Sequence, residues 1–489
     1  MSTEQAGQKA DELLSKARDA AAIFSQISQE HTDRIVKAAF EAAFKNRVRL
    51  AKMAEMETGI GKWEDKVIKN VTASLLVYED IKDLKTVGVI SDNRETGIME
   101  VAQPIGPILA VIPVTNPTST VIFKTLISLK SRNPIIISPH HKAIGCCVEA
   151  AKICYEAALS EDAPEDCIQW TREKAIELSN FDINEEHAET HALMSHPQLA
   201  LILATGGGGV VKAAYTSGTP AFGVGSGNVP VFIDKSADIP FAVSNILASK
   251  TFDNGTICSS EQAIIVDKAI AGKVIKEFEA RGGYFLSQDA VNKVEKVAFK
   301  KDRGVMSPDV VGQSVEKIAN LAGISVPSGT RLLLAPLSGV GPDYPLSSEI
   351  LCPLLAFYTA NDRDSALKIC IDLNFYGGMG HSASIYANDE TVIREFATEM
   401  NAGRVLVNTP SSQGAVGGIY NKLHTSFTLG CGTTGKNITT DNVTVTHLIN
   451  IQRVARRRIN ERFNNFDKNL FYDESLDTEE ILSKFNSNY

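Results

Sequence analysis

The stretch from Leu199 to Tyr215 constrains the fold more than any other part of the chain. An apolar run, Leu199 to Ala204, passes directly into Thr205-Gly206-Gly207-Gly208-Gly209 and then into the helix-like Val210 to Tyr215. A strand that is apolar at every position is buried on both faces, which a parallel sheet covered by helices provides. Strand, glycine turn and helix in that order aim free backbone N–H groups and a helix dipole at an anionic ligand, so a dinucleotide-binding half is expected. The same alternation appears upstream, with strands expected at Ile108 to Ile112 and Ile135 to Ser138, each followed by a helix, Thr118 to Lys130 and Ala143 to Ala158. Strands joined by helices are βαβ crossovers, and the expected fold class is α/β.

The 489 residues exceed what one hydrophobic core usually serves, so two large domains are expected. The first takes residues 1–85 and 103–234 and opens with apolar residues at helical spacing from Gln8 to Phe44. After Val231-Phe232-Ile233-Asp234 the alternation starts afresh and runs to Gly430, which gives a second α/β domain over 235–430. Thr86 to Ala102, two strand-like runs around the turn-rich Ser91 to Gly97, reads as a hairpin. Residues 456–489 form an Asn-rich, charged tail with a helix expected at Thr478 to Phe485.

Composition narrows the function classes. A net charge of -9, with Arg456-Arg457-Arg458 as the one basic run, argues against a nucleic-acid surface. The eight cysteines show no paired CxxC spacing, which suggests neither a disulfide framework nor a metal site and fits a reducing compartment. Met1 to Ala10 is polar and no apolar run reaches membrane-spanning length, so a soluble cytoplasmic protein is expected.

Two segments carry candidate chemistry. In Asp253-Asn254-Gly255-Thr256-Ile257-Cys258-Ser259-Ser260-Glu261-Gln262 the cysteine follows a glycine turn and precedes the apolar Ala263 to Val266. That places Cys258 at a loop end, beside backbone donors that lower a thiol pKa, as a candidate nucleophile; the alternative is a small buried apolar residue. In Ile112-Pro113-Val114-Thr115-Asn116-Pro117-Thr118-Ser119-Thr120 a buried strand breaks at prolines and restarts as a helix. Asn116 can offer its amide to a developing oxyanion, a contribution of about 2.7–4 kcal/mol in acyl chemistry. Alternatively, Asn116 or Thr118 caps the helix.

Together with Glu57-Thr58-Gly59, Glu64-Asp65-Lys66-Val67, Ser138-Pro139-His140, Thr205-Gly206-Gly207, Gly380-His381-Ser382 and Thr428-Leu429-Gly430-Cys431-Gly432, these segments carry a family resemblance. From about residue 10 to residue 455 the chain resembles the CoA-acylating branch of the aldehyde dehydrogenase superfamily. It is similar to the aldehyde dehydrogenase half of bifunctional alcohol/aldehyde dehydrogenases and to acylating succinate-semialdehyde dehydrogenases. The resemblance implies a Rossmann-type cofactor domain, a second α/β catalytic domain and a small oligomerisation element, residues 86–102 with 431–455, including a late strand around Thr444 to Ile451.

By that resemblance Cys258 is the nucleophile, and Asn116 with the Cys258 backbone N–H forms the oxyanion hole. Glu349, in Glu349-Ile350-Leu351-Cys352-Pro353, matches the family glutamate that holds the nicotinamide ribose. Thr205, Gly206 and Gly207, with Ser138 and His140, fall at the dinucleotide. His381 is a candidate for assisting thiol chemistry, because an unperturbed imidazole titrates near neutrality; the alternative is a polar residue that fixes a loop.

One departure bears on the acyl acceptor. Water-using relatives carry a glutamate base before a Gly-Gly segment, whereas Phe222-Gly223-Val224-Gly225-Ser226-Gly227-Asn228 offers Val224 or a glycine. Without that base a cysteine thioester survives until a thiolate attacks. The reaction implied is small aldehyde, CoA and NAD to acyl-CoA and NADH, reversible, with NADP left open as the cofactor. A homodimer or homotetramer in the cytoplasm, alone or within a larger assembly, completes what the resemblance implies. Acetaldehyde is the leading substrate. An anionic aldehyde, sulfoacetaldehyde or succinate semialdehyde, is the alternative if Lys422 and Lys436 face the acyl pocket. A water-using aldehyde dehydrogenase and a catalytically silent scaffold subunit are the remaining rivals.

Overall fold

The computed structural model describes residues 3–171, 183–300 and 305–487; Met1, Ser2, Asn488 and Tyr489 of the expected N-terminus and tail lie outside them. The chain divides into two compact units, one of residues 1–84 and 104–449, the other of 85–103 and 450–489.

The larger unit holds two parallel sheets. The first has five strands in the order Ile168–Trp170, Ile135–Pro139, Ile108–Ile112, Leu201–Thr205 and Ala221–Val224. Ile108–Ile112 and Ile135–Pro139 are buried at every residue, as their unbroken apolar runs require. The chain starts at Ile108–Ile112, winds outward through Ile135–Pro139 to Ile168–Trp170, and then returns to build the other side from Leu201. Such a reversal opens a crevice beyond the carboxyl ends of the two strands that flank it. The helix Pro117–Lys130 is buried along its whole length. Its Lys124 donates to the carbonyls of Val111 and Leu203, both at 2.8 Å, on the two flanking strands. Burial holds that ammonium well below the usual lysine range.

The second sheet has seven strands, in the order Gly283–Phe285, Leu332–Pro336, Leu354–Ala360, Glu261–Asp267, Val229–Ile233, Ala383–Tyr386 and Val405–Val407. Because Val229–Ile233 pairs with Glu261–Asp267 and Ala383–Tyr386, the change of sheet falls between Val224 and Val229 rather than after Asp234. An apolar strand pattern reads the same whichever sheet receives it, which is why the sequence places this boundary one strand late.

In the smaller unit the expected hairpin forms between Gly88–Asn93 and Ile98–Pro104, antiparallel, and Ile449–Ala455 completes a three-stranded sheet. Residues 431–449 instead belong to the larger unit, where Val443, Val445 and Leu448 join the core around Ile108 and Ile137. Val445–Leu448 is a 3-10 turn closed by reciprocal hydrogen bonds between Thr444 and His447, so the late strand starts only at Ile449. The tail helix spans Thr478–Ser487, and its Phe485 clusters with Phe463, Phe466 and Phe471. The helical start is two helices, Thr3–Phe24 and Gln29–Lys45, the second capped by Ser28. Among the described residues no helix is long and apolar enough to cross a membrane.

Candidate active site

Five neighbouring strands of the seven-stranded sheet are entered by the residues that matter here. Glu349 precedes Leu354–Ala360, Cys258 precedes Glu261–Asp267, Gly227 precedes Val229–Ile233, His381 precedes Ala383–Tyr386 and Arg404 precedes Val405–Val407. Parallel strands put all five entering segments on one edge of the sheet. Gly227 N–H donates to Glu349 Oε1 at 2.9 Å. Arg404 donates to the carbonyls of His381, Gly430 and Thr440 at 2.8, 2.6 and 2.9 Å. A Cβ at Gly227 would stand 2.3 Å from the Cys258 carbonyl oxygen and 3.1 Å from the His381 ring, so only glycine fits between them.

Cys258 is half-buried, whereas the other seven cysteines are buried. Its thiol is pushed up to about 12, by burial first and then by the charges of Glu349 and Cys431, against the opposing pull of Arg404 and its own backbone N–H. The lowering expected from backbone donors is therefore outweighed by desolvation. Alkylation of Cys258 by iodoacetamide in the free protein is expected to rise about tenfold per pH unit from pH 7 to pH 10, since each unit multiplies the thiolate fraction tenfold below the pKa. A plateau below pH 9 would show a lowered thiol instead.

The loop that delivers Cys258 is pinned from the helix Trp63–Val71. Asp253 and Asn254 both take left-handed backbone, φ 47° and 51°. Asp253 Oδ2 accepts from Lys66 at 2.9 Å and also from Lys69, while Oδ1 accepts from the Lys62 N–H at 2.7 Å. Burial alone would raise the Asp253 pKa, yet Lys69 and Lys66 hold it below the usual carboxylate range. Lys69 also donates to Asn116 Oδ1 at 2.6 Å and to Thr256 Oγ1 at 2.9 Å. The Asn116 side chain does not cap the helix Pro117–Lys130; its Nδ2 donates to Thr115 Oγ1 at 3.0 Å. Thr118 does not cap it either, because its hydroxyl bonds Asn70 Oδ1 at 2.8 Å.

His381 is buried, with Nδ1 at 3.0 Å from Ser382 Oγ and Nε2 without a partner among the described residues. Burial, with Arg404 nearby, pushes its pKa down to about 3, so the near-neutral titration expected from sequence is not retained and the ring is neutral. Sequence reasoning assigned no role to Lys69, Asp253 or Arg404, because each acts through partners remote in the chain. The motif residue Glu57 is also explained: its two oxygens accept from the Gly145 and Cys146 N–H groups at 2.7 Å each, capping the helix Ile144–Leu159.

Beyond the carboxyl ends of Ile108–Ile112 and Leu201–Thr205 lies a cleft of about 590 Å³. Ser138, His140, Thr205, Gly206 and Gly207 all line it, at the reversal of strand order. The helix Gly208–Thr216 begins there, and a Cβ at Gly207, Gly208 or Gly209 would meet nothing within 4 Å. Thr205 Oγ1 is buried without a partner among the described residues. Open backbone at a helix N-terminus with an unsatisfied hydroxyl suits a nucleotide phosphate. Glu349 stands apart from this lining, with the Cys258 group. A second, narrow cavity is lined by Ile68, Phe252, Ile257, Val416, Ile419 and Phe427, with Lys69 at its wall. Lys422 and Lys436 are exposed and do not line it. No cluster of three or more His, Cys, Asp or Glu side chains suited to a metal ion occurs among the described residues.

The sequence model of the aldehyde dehydrogenase family matches residues 2–421. The chain is 47% identical over 454 residues to an aldehyde-alcohol dehydrogenase of Clostridium acetobutylicum, a match covering 92% of this chain and 51% of that protein. It thus spans about half the length of that relative. It is 36% identical to a succinate-semialdehyde dehydrogenase (acetylating) of Clostridium kluyveri, with 91% of this chain and 95% of that one covered. The crystal structure of an acetylating aldehyde dehydrogenase from Geobacillus thermoglucosidasius superposes with a TM-score of 0.88 at 45% identity, over 94% of this chain and 98% of the other. A half-buried cysteine where the chain enters one sheet, a glycine-lined cleft at the reversal of the other and these matches lead to one conclusion: the chain belongs to the aldehyde dehydrogenase family.

Proposed function

We propose that this chain is a CoA-acylating aldehyde dehydrogenase, converting a small aldehyde, CoA and NAD(P) to acyl-CoA and NAD(P)H through a thioester on Cys258. The observation that carries the reading is the absence of a carboxylate from Phe222 to Asn228, the segment where water-using relatives place their base. A side chain at Gly223 would begin 2.8 Å from Tyr215 Oη and Val211 Cγ1, one at Gly227 would strike the Cys258 carbonyl, and Val224 is buried within its strand, while the space at Gly225 is open and unoccupied by any carboxylate of the segment. Glu349, the carboxylate whose charge reaches Cys258, is engaged by the Gly227 N–H. Cys258 adds to the aldehyde carbonyl, and Asn116 Nδ2 with the Cys258 N–H receives the oxyanion. A bound nicotinamide supplies the hydride acceptor, and Thr205, Gly206, Gly207, Ser138, His140 and Glu349 are the residues that would hold the cofactor. His381, neutral and with an Nε2 that has no partner among the described residues, serves the entering thiol as a hydrogen-bond acceptor rather than as an acid.

The narrow cavity against Ile257 receives the acyl chain in this reading. Its walls are apolar apart from Gln413, Thr72 and Lys69, and Lys69 is already paired with Asp253. Acetaldehyde is therefore favoured over an anionic aldehyde, which would bring an uncompensated charge into the pocket. With CoA and NAD saturating, kcat/KM for acetaldehyde is expected to exceed that for succinate semialdehyde and for sulfoacetaldehyde by roughly a hundredfold, the scale of one buried unpaired charge. Equal or reversed values would assign the cavity to an anionic substrate. The exposed strand Ile449–Ala455 lies at the edge of its three-stranded sheet, and its pairing with a second copy would give a homodimer or homotetramer, placed in the cytoplasm.

A further inference from the structure

We infer that Lys69 is a positioning residue that sets the direction of the Asn116 amide, and with it the sign of the oxyanion site. The inference rests on the reading of Asn116 as oxyanion donor. An asparagine amide is nearly symmetric in shape, and its two orientations present opposite polarity: one offers N–H to the reacting oxygen, the other offers a carbonyl that repels it. A residue that can only donate breaks that symmetry. Lys69 is such a residue, an ammonium with three donors and no acceptor. All three are spent on fixed acceptors: Asp253 Oδ2, Asn116 Oδ1 at 2.6 Å and Thr256 Oγ1 at 2.9 Å.

The lysine is itself held in place. It is buried, on the helix Trp63–Val71, and Asp253 pairs with it from the left-handed turn that leads to Cys258. Desolvation lowers its pKa to about 8, with Lys66 adding to that effect and Asp253 opposing it, so the donor-only ammonium with three N–H groups is the form below that pH. With Oδ1 turned to Lys69, Nδ2 faces the other way; one of its hydrogens meets Thr115 Oγ1 and the second is left for substrate. Thr256 stands two residues before Cys258, so the same ammonium ties the oxyanion donor to the loop of the nucleophile. Lys66 shares the Asp253 oxygen but reaches the carbonyl of Thr115 rather than the Asn116 side chain, which makes it the internal control.

The test is a mutant cycle read by the pre-steady-state rate of NADH formation from acetaldehyde at saturating NAD, with CoA absent. Asn116→Ala is expected to slow this step roughly 10²–10³-fold, the effect of losing one oxyanion donor. Lys69→Met is expected to slow it by about tenfold or more with the KM for NAD unchanged, and to add less than about threefold in the Asn116→Ala background. Lys66→Met should have the same effect in both backgrounds. Should Lys69→Met fail to fold, the cycle is run with Lys69→Gln, which keeps an N–H donor and is expected to retain more of the rate. A full, independent loss from the Lys69 variant in both backgrounds would overturn the inference and leave Lys69 as a partner of Asp253 alone. A wild-type rate in Asn116→Ala would instead sink the oxyanion reading beneath it.

Discussion

Replacement of Cys258 by alanine is expected to remove both halves of the reaction, with aldehyde-dependent NADH formation and acyl-CoA reduction each falling by roughly 10⁴-fold or more. The size follows from the role: no other group in the site can form the covalent bond that carries the acyl chain. Cys352 and Cys431 are buried, and burial pushes their thiols up to about 12 and about 11. The fold is expected to tolerate the change, since Cys258 is half-buried in a loop and alanine leaves the loop's own ties untouched. Those ties run through Asp253, Lys66 and Lys69. A thermal melt within a few degrees of wild type, beside an activity loss of this order, separates loss of chemistry from loss of structure.

Omission of CoA is the second large effect. NADH is expected to appear as a burst of one equivalent per active site, followed by a steady rate roughly 10²–10⁴-fold below the CoA-dependent one, the scale of a missing general base. On this proposal water can enter where CoA does, but the segment where water-using relatives place their base offers no carboxylate to activate it. Phe222 to Asn228 carries none, and Glu349 is held by the Gly227 N–H. Steady release of free acid at a comparable rate without CoA would return the chain to the water-using branch.

Much of the scaffold was legible in the sequence because parallel strands advertise themselves as unbroken apolar runs. Ile108–Ile112, Ile135–Pro139 and Leu201–Thr205 all lie where the periodicity puts them, and the glycine turn after Thr205 does line the large cleft. Which sheet a strand joins is a tertiary fact, and Val229–Ile233 was accordingly assigned to the wrong neighbour. The family resemblance implied a late strand from around Thr444, but a local hydrogen-bonded cap between Thr444 and His447 competes successfully with a ladder there.

The site divides in the same way. Cys258 and Asn116 stand out because a glycine turn and a proline break are local signals. The electrostatics around them are not local. The Cys258 thiol is raised where backbone donors suggested lowering, and His381 is held neutral where an ordinary imidazole would titrate. Both results come from burial at the junction of five strand-entering segments, which no single segment displays. Lys69 and Asp253 are 184 residues apart in the chain and meet only in the folded protein.

The covalent step is open to direct observation. Protein incubated with acetaldehyde and NAD, without CoA, is digested at low pH and weighed peptide by peptide; one acetyl group on the peptide containing Cys258, removed when CoA is added and recovered as acetyl-CoA, is the expected result. A full equivalent of NADH with Cys258 unmodified, or with the acetyl group on another residue, would contradict transfer through this sulfur.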